Sequence, residues 1–155
     1  MKTLILMRHA KTEELQSGQK DFDRDLIFKG LKDAANIALW IKKKFNEVDE
    51  IMASAAKRTL HTATIVKEIC GGELNLLASL YHADANGIFN HIHEIRKSTN
   101  TLVVVGHNPA ISDLASFLSH KFIELKPSDI MVFELENKTW SENFKIISFK
   151  HHSEY

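Results

Sequence analysis

Arginine and histidine side chains that could bind and attack a phosphoryl group stand at three places in this sequence of 155 residues. Arg8 and His9 are adjacent, and Arg58 and His107 come later. Arginines make bidentate contacts to phosphate oxygens and remain charged, while a neutral imidazole can act as a nucleophile. Nearby guanidinium groups should lower the pKa of His9 and keep it unprotonated at neutral pH. Brought together, these side chains would suit phosphoryl chemistry.

Short apolar strands are the elements that would bring these residues together. Residues 3–7 run straight into Arg8 and His9, residues 50–54 end at Ser54, and residues 101–105 lead through a glycine to His107. Such runs are typical of strands buried on both faces of a parallel sheet. The carboxyl ends of parallel strands share one edge of the sheet, and active sites of open α/β sheets lie there.

Helical spacing of apolar residues separates the strands. It predicts helices over residues 27–45, over about 55–70 with Ser54 as N-cap, over 84–97, and to about 118 with Asn108 as N-cap and Pro109 as first residue. Further strands are predicted at 73–77, 129–136 and 144–149, the last two joined by a turn at 136–138. The pattern predicts one α/β domain over residues 1–155, a three-layer α/β/α sandwich whose mostly parallel central sheet has an antiparallel C-terminal edge.

The composition limits which cellular compartment and which classes of binding partner we expect for this protein. Twenty basic and twenty acidic residues cancel, so no overall field favours nucleic acid or an anionic membrane. The single cysteine, Cys70, excludes an internal disulfide, fits a reducing cytoplasm and is expected to be a small buried thiol. No run approaches the roughly 18 apolar residues of a membrane span, and the first residues are too quickly charged for a secretory signal. We therefore expect a cytoplasmic protein.

Four segments resemble motifs of the histidine phosphatase superfamily and of its short phosphohistidine phosphatase (SixA-type) branch. Residues 6–11 resemble the Arg-His-Gly/Ala signature, and 23–26 with 29–30 resemble Asp-Arg-Pro-Leu…Arg-Gly. Residues 54–63 match Ser-Pro-Ala-x-Arg-Ala-x-Gln-Thr-Ala, and 105–109 match Val-Gly-His-Asn-Pro. Ala55 replaces the proline, and His61, which could face the substrate entrance, replaces the glutamine. The resemblance covers residues 4–118 and implies a phosphoglycerate mutase-like fold.

The resemblance also implies a role for each matching residue. His9 would be the nucleophile that becomes phosphohistidine. The residues that would hold the phosphoryl group are Arg8, Arg58 and His107, and those that would complete the pocket and bind the substrate are Arg24, Asn108 and Ser54.

The general acid is less clearly marked. Longer members of the superfamily carry a carboxylic acid on an inserted segment, whereas residues 80–84 here are short and offer only His82 and Asp84. An alkoxide leaving group needs a proton in the transition state, but an imidazole leaving from a P–N bond is easier to expel. We therefore expect a phosphatase that acts on phosphohistidine of a protein partner. Alternatives are a small-molecule phosphomonoesterase that uses one of these acids, and a phosphate-binding module without catalysis.

We expect neither a metal nor another cofactor. His91 and His93 would diverge on a helix, and no carboxylate or thiol at ligand spacing joins them. The sequence also lacks a glycine-rich dinucleotide fingerprint and a Walker-type loop.

Overall fold

The computed structural model describes residues 1–136, 139–140 and 144–151. In these residues six strands form one sheet: β1 (Lys2–Arg8), β2 (Glu50–Ala53), β3 (Glu73–Leu76), β4 (Thr101–Gly106), β5 (Ile130–Leu135) and β6 (Phe144–Lys150). Four α-helices accompany them: α1 (Phe28–Phe45), α2 (Lys57–Cys70), α3 (Ala85–His93) and α4 (Ala110–Ser119). Two 3-10 turns lie at Asp21–Asp23 and Ala78–Leu80.

The strand order is β3-β2-β4-β1-β5-β6. The first four strands of this order run parallel, whereas β5 pairs antiparallel with β1, and β6 pairs antiparallel with β5. The predicted mixed sheet with an antiparallel C-terminal edge is therefore confirmed. The predicted turn between its last two strands includes Asn137 and Lys138, which lie outside the described residues.

The two faces of β1 explain the three layers. Successive side chains of a strand point to opposite faces; Leu4 and Leu6 enter the core that also contains residues of α3 and α4, whereas Ile5 and Met7 enter the core that contains residues of α1 and α2. All four side chains are fully buried. A continuous apolar run is thus needed because both faces of the central strand are covered by helices.

Two predicted helix caps are wrong. Helix α2 starts at Lys57 with Ala56 as its N-cap, because the Ser54 hydroxyl bonds to other side chains instead of the helix backbone. Helix α4 has Pro109 as N-cap, while the Asn108 amide donates a hydrogen bond to the carbonyl of Leu125. Other boundaries differ from the predicted ones as well, mostly by one residue; α1 begins one residue late, and the largest difference is at α3, which ends at 93 instead of 97, where a tighter turn begins.

Close packing fixes the start of α1 against the segment after β1. Gly30 lies so near this segment that an added Cβ would collide with the carbonyl oxygen of Lys11.

Cys70, the last residue of α2, is buried and free as predicted, with its thiol 3.2 Å from the carbonyl oxygen of Ala38 in α1. Burial raises the pKa of this thiol to about 11. No helix among the described residues combines the length and the apolar character needed to cross a membrane.

Candidate active site

The carboxyl ends of β1 and β4 lie side by side and present the two histidines together. Arg8 is in register with Gly106, and the His9 amide donates to the carbonyl of Gly106 at 3.1 Å. Because the strands are parallel, His9 and His107 leave them at the same edge, and their ring centroids are 5.5 Å apart. The expected meeting of distant strand ends is therefore present.

A cavity of about 390 Å³ opens at this edge. It is lined by the guanidinium groups and imidazoles singled out in the sequence, together with one carboxylate, and its charged and histidine members are Arg8, His9, Lys11, Asp21, Arg24, Arg58 and His107. The cavity thus concentrates positive charge in a chain whose formal net charge is zero.

His9 is held with one ring nitrogen unprotonated. Its Nδ1 lies 2.8 Å from the carbonyl oxygen of Ala10, and because a carbonyl can only accept, this nitrogen carries the proton. Nε2 therefore keeps its lone pair. Burial is the main cause that lowers the pKa of His9 to about 3; the hydrogen bond to Ala10 opposes it, and the neighbouring charges of His107, Arg58 and Arg8 contribute in the same direction as burial. The sequence-based expectation assigned this effect to the guanidinium groups, whereas desolvation is the larger cause.

In Arg8 and in Arg58 the buried Nε of the guanidinium group has no partner among the residues that the structure describes. Arg8 donates from Nη1 to the carbonyl of Leu125 at 3.1 Å, and both terminal nitrogens of Arg58 donate to Asp21. The Nε atoms of both arginines are buried and have no hydrogen-bond partner in the described part of the chain. Buried polar groups are normally satisfied, so these donors suit an oxyanion in the cavity.

His107 adds a third nitrogen of this kind. Its Nε2 lies 2.6 Å from the hydroxyl of Ser54, whose oxygen is also 2.6 Å from the hydroxyl of Thr59. Its Nδ1 is buried and has no partner among the residues described. Burial, and then the charge of Arg58, lower the pKa of His107 to about 4. A hydroxyl therefore orients the ring, and Nδ1 remains available.

Arg24 lines the cavity, but its nitrogens are already engaged. They donate to the carbonyl of Glu13 at 3.2 Å, to the hydroxyl of Thr12 at 2.7 Å and to the carboxylate of Asp21 at 3.1 Å. Arg24 therefore stabilises, through these hydrogen bonds, the loop that forms this side of the cavity. Asn108 also lines the cavity.

The two candidate acids lie beside this cavity and not in its lining. His82 and Asp84 line an adjacent cavity of about 290 Å³, which shares His107 and Asn108 with the first. Asp84 is the N-cap of α3 and accepts from the amide of Gly87 at 2.8 Å. Asp84 therefore caps the start of α3 and also lines the adjacent cavity.

Other candidate features are engaged elsewhere. His61 lies 3.0 Å from a carboxylate oxygen of Asp25, and His91 lies 3.0 Å from the hydroxyl of Ser79. In the described ranges no group of three or more histidine, cysteine, aspartate or glutamate side chains could hold a metal ion.

Sequence reasoning gave no role to Asp21, Tyr81 or Thr59. Asp21 accepts from Tyr81 at 2.5 Å as well as from two arginines, and the ring of Tyr81 lies edge-on to His107 at 5.5 Å. In the sequence, Asp21 is only an aspartate three residues before Arg24. Nothing in that pattern distinguishes it from an acidic residue in a solvent-exposed loop.

Comparisons with known proteins agree with this geometry. The sequence model of the histidine phosphatase superfamily (branch 1) matches residues 4–87. An uncharacterized protein of Mycobacterium tuberculosis is 30% identical over 113 residues, which cover 73% of this chain and 70% of that protein.

Two solved structures have a similar fold. The proposed phosphohistidine phosphatase SixA of Agrobacterium tumefaciens superposes with a TM-score of 0.84 at 22% identity, over 97% of both chains. A phosphoserine phosphatase of Entamoeba histolytica in complex with 3-phosphoglyceric acid gives a TM-score of 0.70 at 20% identity, over 98% of this chain and 99% of that one. The shared fold is that of phosphoglycerate mutase-like histidine phosphatases.

Proposed function

This chain belongs to the histidine phosphatase superfamily and is a phosphatase, and on that premise we propose that it removes phosphate from phosphohistidine on a protein partner through a covalent intermediate on His9. One observation carries the proposal. The neutral His9 keeps Nε2 free at a cavity where the Nε atoms of Arg8 and Arg58 and Nδ1 of His107 are buried without partners among the described residues.

In the first step Nε2 of His9 attacks phosphorus as the leaving nitrogen departs on the opposite side. The P–Nε2 bond forms, the P–N bond of the substrate breaks, and its electron pair goes to the leaving nitrogen. A substrate ring that carries a proton on its other nitrogen then leaves as a neutral imidazole. Arg8 and Arg58 hold the phosphoryl oxygens with charged, directional donors, which stabilise the charge that develops on them. Ser54 can donate a hydrogen bond to Nε2 of His107. The His107 ring then carries its proton on Nδ1 and donates a hydrogen bond from this atom to the same oxygens.

In the second step a water molecule attacks the phosphorus of the intermediate. The P–Nε2 bond breaks, its electron pair returns to His9, and inorganic phosphate and a proton are released. The hydrogen bond from Nδ1 of His9 to the carbonyl of Ala10 keeps the ring in place through both steps. Neutral His9 is thereby restored.

The absence of an available acid in this lining favours a leaving group that needs little protonation. Asp21 is the carboxylate among the residues that line the cavity. The hydrogen bond from Tyr81, and then those from Arg24 and Arg58, hold the pKa of Asp21 far below its usual range against an opposing effect of burial. Asp21 therefore stays ionised and is unsuited to donate a proton, which an alkoxide would require.

A small-molecule phosphomonoesterase is the second candidate. His82 and Asp84 border the adjacent cavity, on the side where a leaving group could lie, and the similar Entamoeba histolytica protein is a phosphoserine phosphatase. In this case one of the two side chains would protonate an alkoxide. A preference for alkyl phosphates that disappears in Asp84→Asn would replace our substrate assignment with this one.

Rapid-quench experiments with a ³²P-labelled phosphohistidine protein test the proposal. We expect an acid-labile label on the wild-type chain during turnover, and neither label nor turnover in His9→Ala. His93→Ala, which removes an exposed imidazole, is the matched control and should behave as wild type. Equal and very slow phosphate release by wild type and His9→Ala, without label on the protein, would reduce the chain to a phosphate-binding module.

A further inference from the structure

Asp21, which lines the cavity, accepts hydrogen bonds from three other side chains. Its Oδ1 accepts from Nη1 of Arg24 at 3.1 Å, and its Oδ2 accepts from Nη2 of Arg58 at 2.9 Å and from the hydroxyl of Tyr81 at 2.5 Å. Its backbone carbonyl accepts from Nη1 of Arg58 at 2.7 Å. One residue thus binds both terminal nitrogens of Arg58.

The shape of a guanidinium group makes this arrangement directional. Two parallel N–H bonds leave its end, from Nη1 and Nη2, and two leave its side, from Nε and Nη2. Asp21 occupies the end of the Arg58 group, so the side remains for another acceptor. The unsatisfied nitrogen of Arg58 is Nε, which belongs to that side.

Tyr81 is a second donor that holds the carboxylate in place. Its ring lies 5.9 Å from the central carbon of the Arg58 guanidinium and meets the ring of His107 edge-on at 5.5 Å. Its hydroxyl donates to the same oxygen of Asp21 that binds Arg58. The carboxylate therefore cannot turn away from Arg58 without losing a second hydrogen bond.

We propose that Asp21 is a positioning residue that acts through Arg58: it occupies the end of the guanidinium group and thereby presents the side of this group to the phosphoryl oxygens. The inference rests on the proposed function. The side chain of Arg58 is only 7% exposed, and its two terminal nitrogens take their acceptors from Asp21. In its absence the terminal nitrogens would turn to the phosphoryl group, and the group would be held in another orientation.

Asp21→Asn tests this role, because the amide keeps the size of the side chain and loses the charge and one acceptor. A displacement of about 1 Å at a reacting centre can reduce the rate by about 10²-fold, and we expect a loss of this order in kcat/KM, mainly in kcat. Binding of tungstate, an oxyanion of phosphate-like shape, should weaken about tenfold. Asp23→Asn is the matched control: it lies on the same 3-10 turn, and its side chain has no hydrogen bond to any residue that the structure describes. It should stay within about twofold of wild type.

A double-mutant cycle separates positioning from a purely structural role of the loop. In an Arg58→Ala background Asp21→Asn should reduce kcat/KM by less than about twofold, since no guanidinium group remains to be oriented. A loss that persists in full in that background would overturn the inference, as would values for Asp21→Asn within about threefold of those for Asp23→Asn. Thermal unfolding of each variant shows whether it is folded at the assay temperature.

The inference and the proposed function can fail separately. If wild type hydrolysed no phosphorylated substrate, the proposed function would be wrong, and tungstate binding would still decide the role of Asp21. If wild type formed the labelled intermediate and the two aspartate variants behaved alike in both assays, the phosphatase mechanism would stand and the positioning role would be refuted.

Discussion

The neutral state of His9 should make the stability of the protein depend on pH in a defined window. His9 is 8% exposed, and burial lowers its pKa from the ordinary value of 6.5 to about 3. Between these two values the unfolded chain binds a proton at this residue and the folded chain does not. Stability must therefore rise with pH across this range and fall as the pH is lowered from 7 to 5.

The size of the effect follows from the unfolded chain. At pH 5 the folded protein still carries neutral His9, so the contribution depends on protonation of an ordinary histidine between pH 7 and pH 5. Integration over that interval gives about 2 kcal/mol for one residue. His107, whose pKa is lowered to about 4, contributes in the same direction.

Urea unfolding of wild type and His9→Gln at pH 7 and pH 5 isolates the contribution of His9 to the pH dependence of the free energy of unfolding. Contributions of His107 and of all other shared groups cancel in the difference between the two proteins. Wild type should lose about 2 kcal/mol more than His9→Gln on acidification, whereas His93→Gln, an exchange at an exposed position, should lose as much as wild type. Parallel losses in wild type and His9→Gln would mean that folded His9 is protonated at pH 5, and the argument for a ready nucleophile would fail with it.

Three further substitutions probe the cavity and its support. Ser54→Ala removes the 2.6 Å contact to His107 and should lower kcat/KM about fivefold, the net value of one hydrogen bond. Arg8→Lys keeps the charge but loses the planar fork, and should lower kcat/KM by about 10²-fold in steady-state assays. Gly30→Ala introduces a collision with a backbone carbonyl and should destabilise the protein by about 1–3 kcal/mol in urea unfolding. Gly87→Ala, where an added Cβ meets only side-chain atoms at 3.2 Å and beyond, should change stability by less than about 1 kcal/mol.

The sheet could be predicted from the sequence because its central strands have helices on both faces. The middle of β1 (residues 4–7) and of β4 (residues 102–105) can be covered in this way only if these residues are apolar without interruption, which is the pattern that the sequence shows. Parallel pairing then places the strand ends at one edge. The meeting of His9 and His107 followed from these two facts, without knowledge of any side-chain contact.

The caps and the loop contacts could not be predicted, because they depend on competition among polar groups. Ser54 and Asn108 have the chemistry of N-caps, but in the folded chain their side chains bond to groups that are distant in sequence, His107 and the carbonyl of Leu125. Asp21 is a similar case. Its two arginine partners are 3 and 37 positions away, and only the packing of the loop against α2 selects it over its neighbour Asp23.

Burial lowers the pKa of both kinds of basic side chain in the cavity, but only the imidazoles become neutral, and this difference accounts for the chemistry of the cavity. Desolvation disfavours the charged form of each group. The imidazoles respond by staying neutral, which is what a nucleophile requires. The guanidinium groups cannot respond in this way, because their ordinary pKa is too high: burial lowers the pKa of Arg8, but its charge remains.

Each cavity arginine therefore needs acceptors, and each takes a backbone carbonyl from the protein: Leu125 for Arg8, Glu13 for Arg24 and Asp21 for Arg58. Arg24 and Arg58 share one carboxylate as well. These acceptors leave Nε of Arg8 and of Arg58 without a partner in the described part of the chain. A phosphoryl group would supply the missing acceptors beside a nitrogen that burial has kept unprotonated, so the same desolvation prepares both the binding of the group and the attack on it.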